Sequence, residues 1–133
     1  MLLSELSLIE VTTLRTDFRQ TDAREGSGEV NFLFGSLNFE VGAKLIADET
    51  KSIIIIQANP KATALREDKV TEEFSLDIAM RMVYTYPSSE VVDEKFIRDN
   101  SWYFSSFLRT YFKFFAENIL KQAGINGITL PFN

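Results

Sequence analysis

Acid–base chemistry in this chain would have to come from carboxylates. It has 19 Asp and Glu residues but no His and no Cys. Lacking His, it lacks the commonest general base and zinc ligand; lacking Cys, it lacks disulfides, thiolate metal sites and thiol nucleophiles. Two carboxylates can act as general acid and base. However, Asp48/Glu49, Asp68, Glu72/Glu73 and Glu90/Asp93/Glu94 all fall in expected turns or at a helix start, where a solvated surface is their ordinary setting. Asp77, on the polar face of an expected strand, and Asn118, inside the apolar arc of an expected helix, are the polar residues in unexpected company. For Asn118 the choice lies between a satisfied core amide and a ligand contact. No phosphate-binding glycine loop, nucleophile elbow or metal-ligand spacing occurs. The sequence predicts no catalytic residue, no cofactor and no metal.

Its surplus is aromatic: 12 Phe, and 13% aromatic residues in all. Many lie between Trp102 and Ala123, where Phe104, Phe107, Leu108, Tyr111, Phe112, Phe115, Ile119 and Ala123 recur at helical spacing. Asp99, Asn100 and Ser101 offer N-cap oxygens, and Gly124 stands where a left-handed C-cap residue belongs. Such a helix is roughly 33 Å long. Phe104, Leu108, Tyr111, Phe115 and Ile119 form its central stripe; Tyr103, Phe107 and Phe114 widen it on one side, Phe112, Ala116 and Ala123 on the other. The apolar arc then covers roughly 220°, against about 100° or somewhat more for a helix laid on one core, and Arg109, Thr110, Lys113, Glu117 and Lys121 fill the polar face that remains. Its flanks call for a second subunit or a ligand.

The elements that position this helix are strands. Residues 6–18 are β-rich but change face between Val11 and Leu14, which predicts a bulge. The polar stretch 19–31, with Gly26-Ser27-Gly28, predicts a crossover loop that ends in the alternating Val30, Phe32 and Phe34. Residues 37–47 alternate as a half-buried antiparallel strand, and 52–65 form another, interrupted by Pro60. After a charged hairpin at 66–73 comes the strongest alternation, Phe74, Leu76, Ile78, Met80, Met82, Tyr84 and Tyr86, ended by Pro87. A short helix over 90–98 leads into the long one. The order predicts an α+β fold, a single domain over residues 1–133. A four-stranded antiparallel sheet, with its crossover loop after strand 1, carries a short and a long C-terminal helix on one face.

Bulk properties narrow the partners. A net charge of −5 with scattered basic residues argues against nucleic acid. No apolar run approaches the ~20 residues of a membrane span, and MLLSELSLIE lacks the basic start of a signal peptide, so the expected location is cytoplasmic.

The order of elements and the C-terminal pattern resemble the SecB-like export chaperones, over roughly residues 6–133. The matching residues are Leu108, Tyr111-Phe112-Lys113, Gly124, and the tail Ile128-Thr129-Leu130-Pro131-Phe132-Asn133. The resemblance implies a dimer of dimers with helices between two sheets, and a hydrophobic groove for extended, unfolded polypeptide. By position, the client-binding residues would be Phe32, Phe34, Phe74, Phe104, Phe107, Tyr111 and Phe132. The oligomer interface, of a homodimer or homotetramer, would draw on Trp102, Tyr103, Phe112 and Phe114. The chain stops at Asn133, where export members continue into a further helix and an acidic tail. Phe112 and Phe114 also stand where that family tends to have smaller or polar residues. Both departures weigh against delivery to a SecA-type motor and leave room for a solitary chaperone dedicated to one client, such as a labile antitoxin.

Three readings follow. One is a non-catalytic holdase for unfolded chains, in export or for one client. Another is a structural or protein-interaction module whose apolar helix only builds a homo-oligomer. The last is a small-molecule or enzymatic cup around Asn118 or Asp77.

Overall fold

A computed structural model describes residues 3–20, 28–66, 68 and 70–125. A 3-10 turn at Leu3–Glu5 precedes six strands: β1 (Ser7–Gln20), β2 (Gly28–Leu33), β3 (Asn38–Leu45), β4 (Asp48–Ala58), β5 (Lys61–Arg66) and β6 (Glu72–Pro87). Two helices follow, α1 (Glu94–Asp99) and α2 (Ser101–Gln122). All strand pairs are antiparallel.

The expected α+β architecture with two C-terminal helices is present, but the sheet has six strands rather than four. The difference comes from two interruptions. Pro60 has no N–H to give a ladder, so the expected strand 52–65 divides into β4, paired with Met80–Pro87, and β5, paired with Glu72–Asp77. The segment expected to end the crossover loop is itself a strand, β2, and residues 34–37 separate it from β3. The six strands thus form four rows: β1, then β6, then β4 with β5, then β3 with β2. From β1 to β2 the chain passes from one edge of the sheet to the other, as a crossover requires.

The irregularities line up across the rows. The bulge at Leu14 lies opposite Met80 and Ala79, and the β4–β5 break spans the partners of Met80 and Asp77. The β2–β3 break falls between the partners of Lys61 and Gln57. A transverse crease therefore crosses the sheet at Ile78, whose N–H still donates to the Pro60 carbonyl at 3.1 Å.

The predicted alternation in β6 is realised. Phe74, Leu76, Ile78, Met80, Met82, Tyr84 and Tyr86 are buried, together with Ile54, Ile56, Ala58, Ala62 and Ala64 from the next row. At ~1.5–3 kcal/mol for each large apolar side chain, this face is the main source of stability. The helix laid on it buries Phe104, Leu108, Phe112, Ala116 and Leu120. That line corrects the expected central stripe: Tyr111, Phe115 and Ile119 are only half-buried. Steps of four residues overshoot the 3.6-residue turn by about 40°, so the buried line winds around the helix as it crosses a twisted sheet.

The helix ends are partly as expected. Gly124 has φ +79°, its N–H donates to Lys121 O, and the Ile125 N–H donates to Leu120 O, a complete Schellman stop. The start differs. Asn100 makes no side-chain bond to the first turn of α2; its Nδ2 donates instead to Phe96 O at 2.9 Å, closing α1. Asp93 caps α1, its Oδ1 accepting from the Phe96 N–H at 2.8 Å.

Candidate functional site

Aromatic side chains gather on both flanks of α2. On one flank Phe34, in the β2–β3 connection, stacks on Phe32 of β2 (6.2 Å between centroids) and meets Phe112 edge-on at 5.9 Å. Arg109 lies over the outer side of the same ring, 4.6 Å from its centroid. On this flank Phe34 and Arg109 cover Phe112, while Phe32 and Phe34 themselves stay half-buried. Arg109 Nε is buried there with no hydrogen-bond partner, so the guanidinium is held by the aromatic face rather than by an acceptor.

The other flank is open. Tyr103 and Phe107 contact each other at 5.0 Å, and Tyr111 contacts Phe114 at 6.4 Å. These four follow one side of α2 at helical spacing. Tyr103, Phe107 and Tyr111 are half-buried and Phe114 is 54% exposed. Beneath them Tyr84 of β6 touches Tyr103, Phe104 and Phe107 at 6.2, 5.2 and 6.1 Å. Its hydroxyl is buried without a partner. Burial, followed by the nearby Tyr103 and Tyr111, pushes its ionisation far above the usual phenol range, so this floor stays neutral. Trp102, 61% exposed, packs edge-on against Tyr103 at 5.9 Å. The result is a ridge of tilted and edge-on rings with no acidic or basic side chain among them.

The predicted residues fall into three groups. Phe32, Phe34, Phe107 and Tyr111 keep some exposure and lie on the two flanks. Phe74 and Phe104 are fully buried: Phe104 packs against Phe39 and Tyr84, and Phe74 against Phe18 in a separate cluster with Ala64 and Leu120. They are core and offer no surface to a client in this conformation. Phe132 lies outside the described residues. Of the interface residues, Trp102, Tyr103 and Phe114 are reachable, whereas Phe112 is 1% exposed and already covered by Phe34.

Two other expectations are corrected. Asn118 is exposed, outside the apolar arc. Asp77 owes its place to two cations, Arg15 at 3.4 Å and Lys61 at 3.6 Å. Neither forms a polar cup. Among the described residues no group of three His, Cys, Asp or Glu could hold a metal ion, and no helix is long and apolar enough to cross a membrane. Sequence pattern does not single out Tyr84 or Arg109, since the first is one of many inward residues of β6 and the second lies on the expected polar face of α2. Lys113, expected on that same face, is buried, with Nζ 3.9 Å from Glu117 Oε1.

A crossover from edge to edge of an antiparallel sheet, with a long aromatic helix on one face, defines a SecB-like fold. The chain is similar to the SecB-like chaperone Rv1957 of Mycobacterium tuberculosis, solved in complex with a ChAD peptide from the Rv1956 HigA1 antitoxin. The TM-score is 0.65 at 11% identity, over 96% of this chain and 90% of that one. It is also similar to a protein of unknown function from Streptococcus agalactiae, at TM-score 0.61 and 14% identity, covering 96% and 97% of the two chains. No protein-family model and no curated protein matches the sequence.

Proposed function

We propose that this protein is a holdase that binds unfolded or extended polypeptide without catalysis. The observation that carries the reading is the open ridge of Tyr103, Phe107, Tyr111 and Phe114 on one flank of α2, with the half-buried pair Phe32 and Phe34 on the other. Rings at such spacing offer sequence-tolerant apolar contacts to an extended chain and select weakly among side chains. The likeness to a chaperone solved with an antitoxin peptide supports a polypeptide client. Under this reading the protein works in the cytoplasm as a homodimer or homotetramer. Its client is one dedicated protein, such as a labile antitoxin.

The exposure of Trp102 and Phe114 favours a second reading, an interaction module in which these rings only join copies of the chain. One experiment separates the two. Purified protein in excess should suppress the aggregation of a heat-denatured client, followed by light scattering. Phe107→Ser/Tyr111→Ser should abolish suppression while solution mass stays unchanged. No suppression by the wild type sinks the holdase reading; loss of assembly in the variant favours the module.

A further inference from the structure

The breaks in three rows of the sheet meet at a cleft of about 240 Å³. Leu14 of the β1 bulge, Ser36 of the β2–β3 connection, Asn38 at the start of β3, Gln57 and Asn59 at the β4–β5 break, and Ala79 and Met80 of β6 line it. Gln57 and Asn38 are exposed and pair with each other, whereas Ile56 and Ala58 beside Gln57 are buried under α2. The cleft therefore opens on the face away from the helix.

Its chemistry is neutral and rich in amides. Three carboxamides and a hydroxyl line it, and no lining side chain is ionisable. Several charges on that face are paired, Arg81 with Glu10 at 2.8 Å, and Arg15 and Lys61 with Asp77, while Glu40, next to Asn38 on the same face of β3, is exposed. An ion entering would lose water and find no opposite charge among the lining side chains. A carboxamide offers both donors and an acceptor, the complement of a peptide bond or of an Asn or Gln side chain. Asn59 Oδ1 is buried with no partner. The last torsion of its side chain is broad, so it can turn to accept from a donor in the cleft. Half-exposed Leu14 supplies an apolar wall.

The cleft also lies next to the aromatic residues of the other face. Phe34 packs toward Phe112, yet the next two residues, Gly35 and Ser36, line the cleft. Residues 34–37 belong to no strand, so the sheet edge is notched here, and Gly35 at φ +69° turns the backbone through the notch. We propose that the cleft is a second seat for extended polypeptide. It takes an uncharged, amide-rich stretch of the same chain whose apolar residues lie against Phe32 and Phe34. The proposal rests on the holdase reading.

The test compares two labelled synthetic peptides by fluorescence anisotropy. One is a short Phe- and Leu-rich peptide; the other adds an eight-residue Gln/Asn/Ser extension, which reaches about 26 Å when extended. The extension should tighten binding to the wild type by about tenfold or more, since a linked second contact acts at high local concentration. Asn38→Ala/Gln57→Ala, which removes the amides, and Ala79→Trp, which fills the cleft, should each return the long peptide to the affinity of the short one. The short peptide should bind all three proteins alike. Short-peptide binding with no gain from the extension, or a gain that persists in both variants, overturns the second seat alone. If the wild type binds neither peptide, the holdase reading falls and the second seat with it.

Discussion

The guanidinium of Arg109 lies 4.6 Å from the centroid of Phe34, and both groups border the Phe112 side of α2. The β2–β3 connection is thus fastened to the helix by a ring that meets both a cation and another ring. Phe34→Ala should cost about 2 kcal/mol, below the range for a fully buried Phe because the ring is partly exposed. Arg109→Ala should cost about 0.5–1 kcal/mol. Because they share one contact, the double variant should lose less than the sum of the two. Urea unfolding of the four proteins measures this; strict additivity would show that the guanidinium contributes nothing through Phe34.

Tyr84 carries a buried hydroxyl with no partner beneath the aromatic ridge. Removing an unsatisfied buried polar group while keeping the ring relieves a desolvation cost. Tyr84→Phe should leave stability unchanged or raise it by about 1 kcal/mol, read as a shift in the urea midpoint. A loss of more than about 1 kcal/mol would mean that the hydroxyl has a partner in solution.

Gly124 holds φ +79° at the end of α2, and open space surrounds the position where a side chain would begin. The penalty for Gly124→Ala is therefore conformational, about 1 kcal/mol. It should fray the last turn, with faster amide exchange at Gly124 and Ile125 and little change near Phe104. A spread of the change to Phe104 would mean that the two ends of α2 open together.

Asp48 and Asp68 both titrate below the ordinary carboxylate range. For Asp48 the cause is chiefly the hydroxyl and N–H of Thr50; for Asp68 it is the hydroxyl and N–H of Thr71, then the N–H of Val70. A carboxyl whose folded pKa is depressed adds stability that is complete above its unfolded value of 3.8 and lost as pH falls through the lower folded value. The urea midpoint should therefore decline from just above pH 4 downward. Asp48→Asn/Asp68→Asn should show a shallower decline over that window, with little extra pH dependence between 6 and 8. An unchanged acid slope would place the titrating groups elsewhere.

The layers of this protein are legible from period alone. Alternation from Phe74 to Tyr86 gave the hub strand and its buried face, and the three- and four-residue spacing after Trp102 gave the long helix. Gly124 gave its stop. Two things escaped. The strand count depended on where ladders break, and a proline within a β-rich run does not tell whether the chain bulges or divides. The site depended on helix rotation: Phe112 and Tyr111 are adjacent and both aromatic, yet one is core and the other part of an open ridge. Their difference is set by the twist of a sheet whose rows are non-local, and a one-dimensional arc averages it away. Asn118 and Lys113 exchanged places for the same reason, one expected inside and found outside, the other the reverse.

The position of β1 at the far edge from β2 has a kinetic consequence. Its partners in β6 stand roughly fifty to eighty residues further along the chain, so during synthesis the first strand waits unpaired until more than half of the protein has been made. Closing so large a loop is an entropic cost met late in folding. Until then Leu8, Val11 and Phe18, together with the four-isoleucine run of β4, remain available to other nascent chains. A protein read as a guardian of unfolded polypeptide thus spends its own early life as a candidate for the same protection.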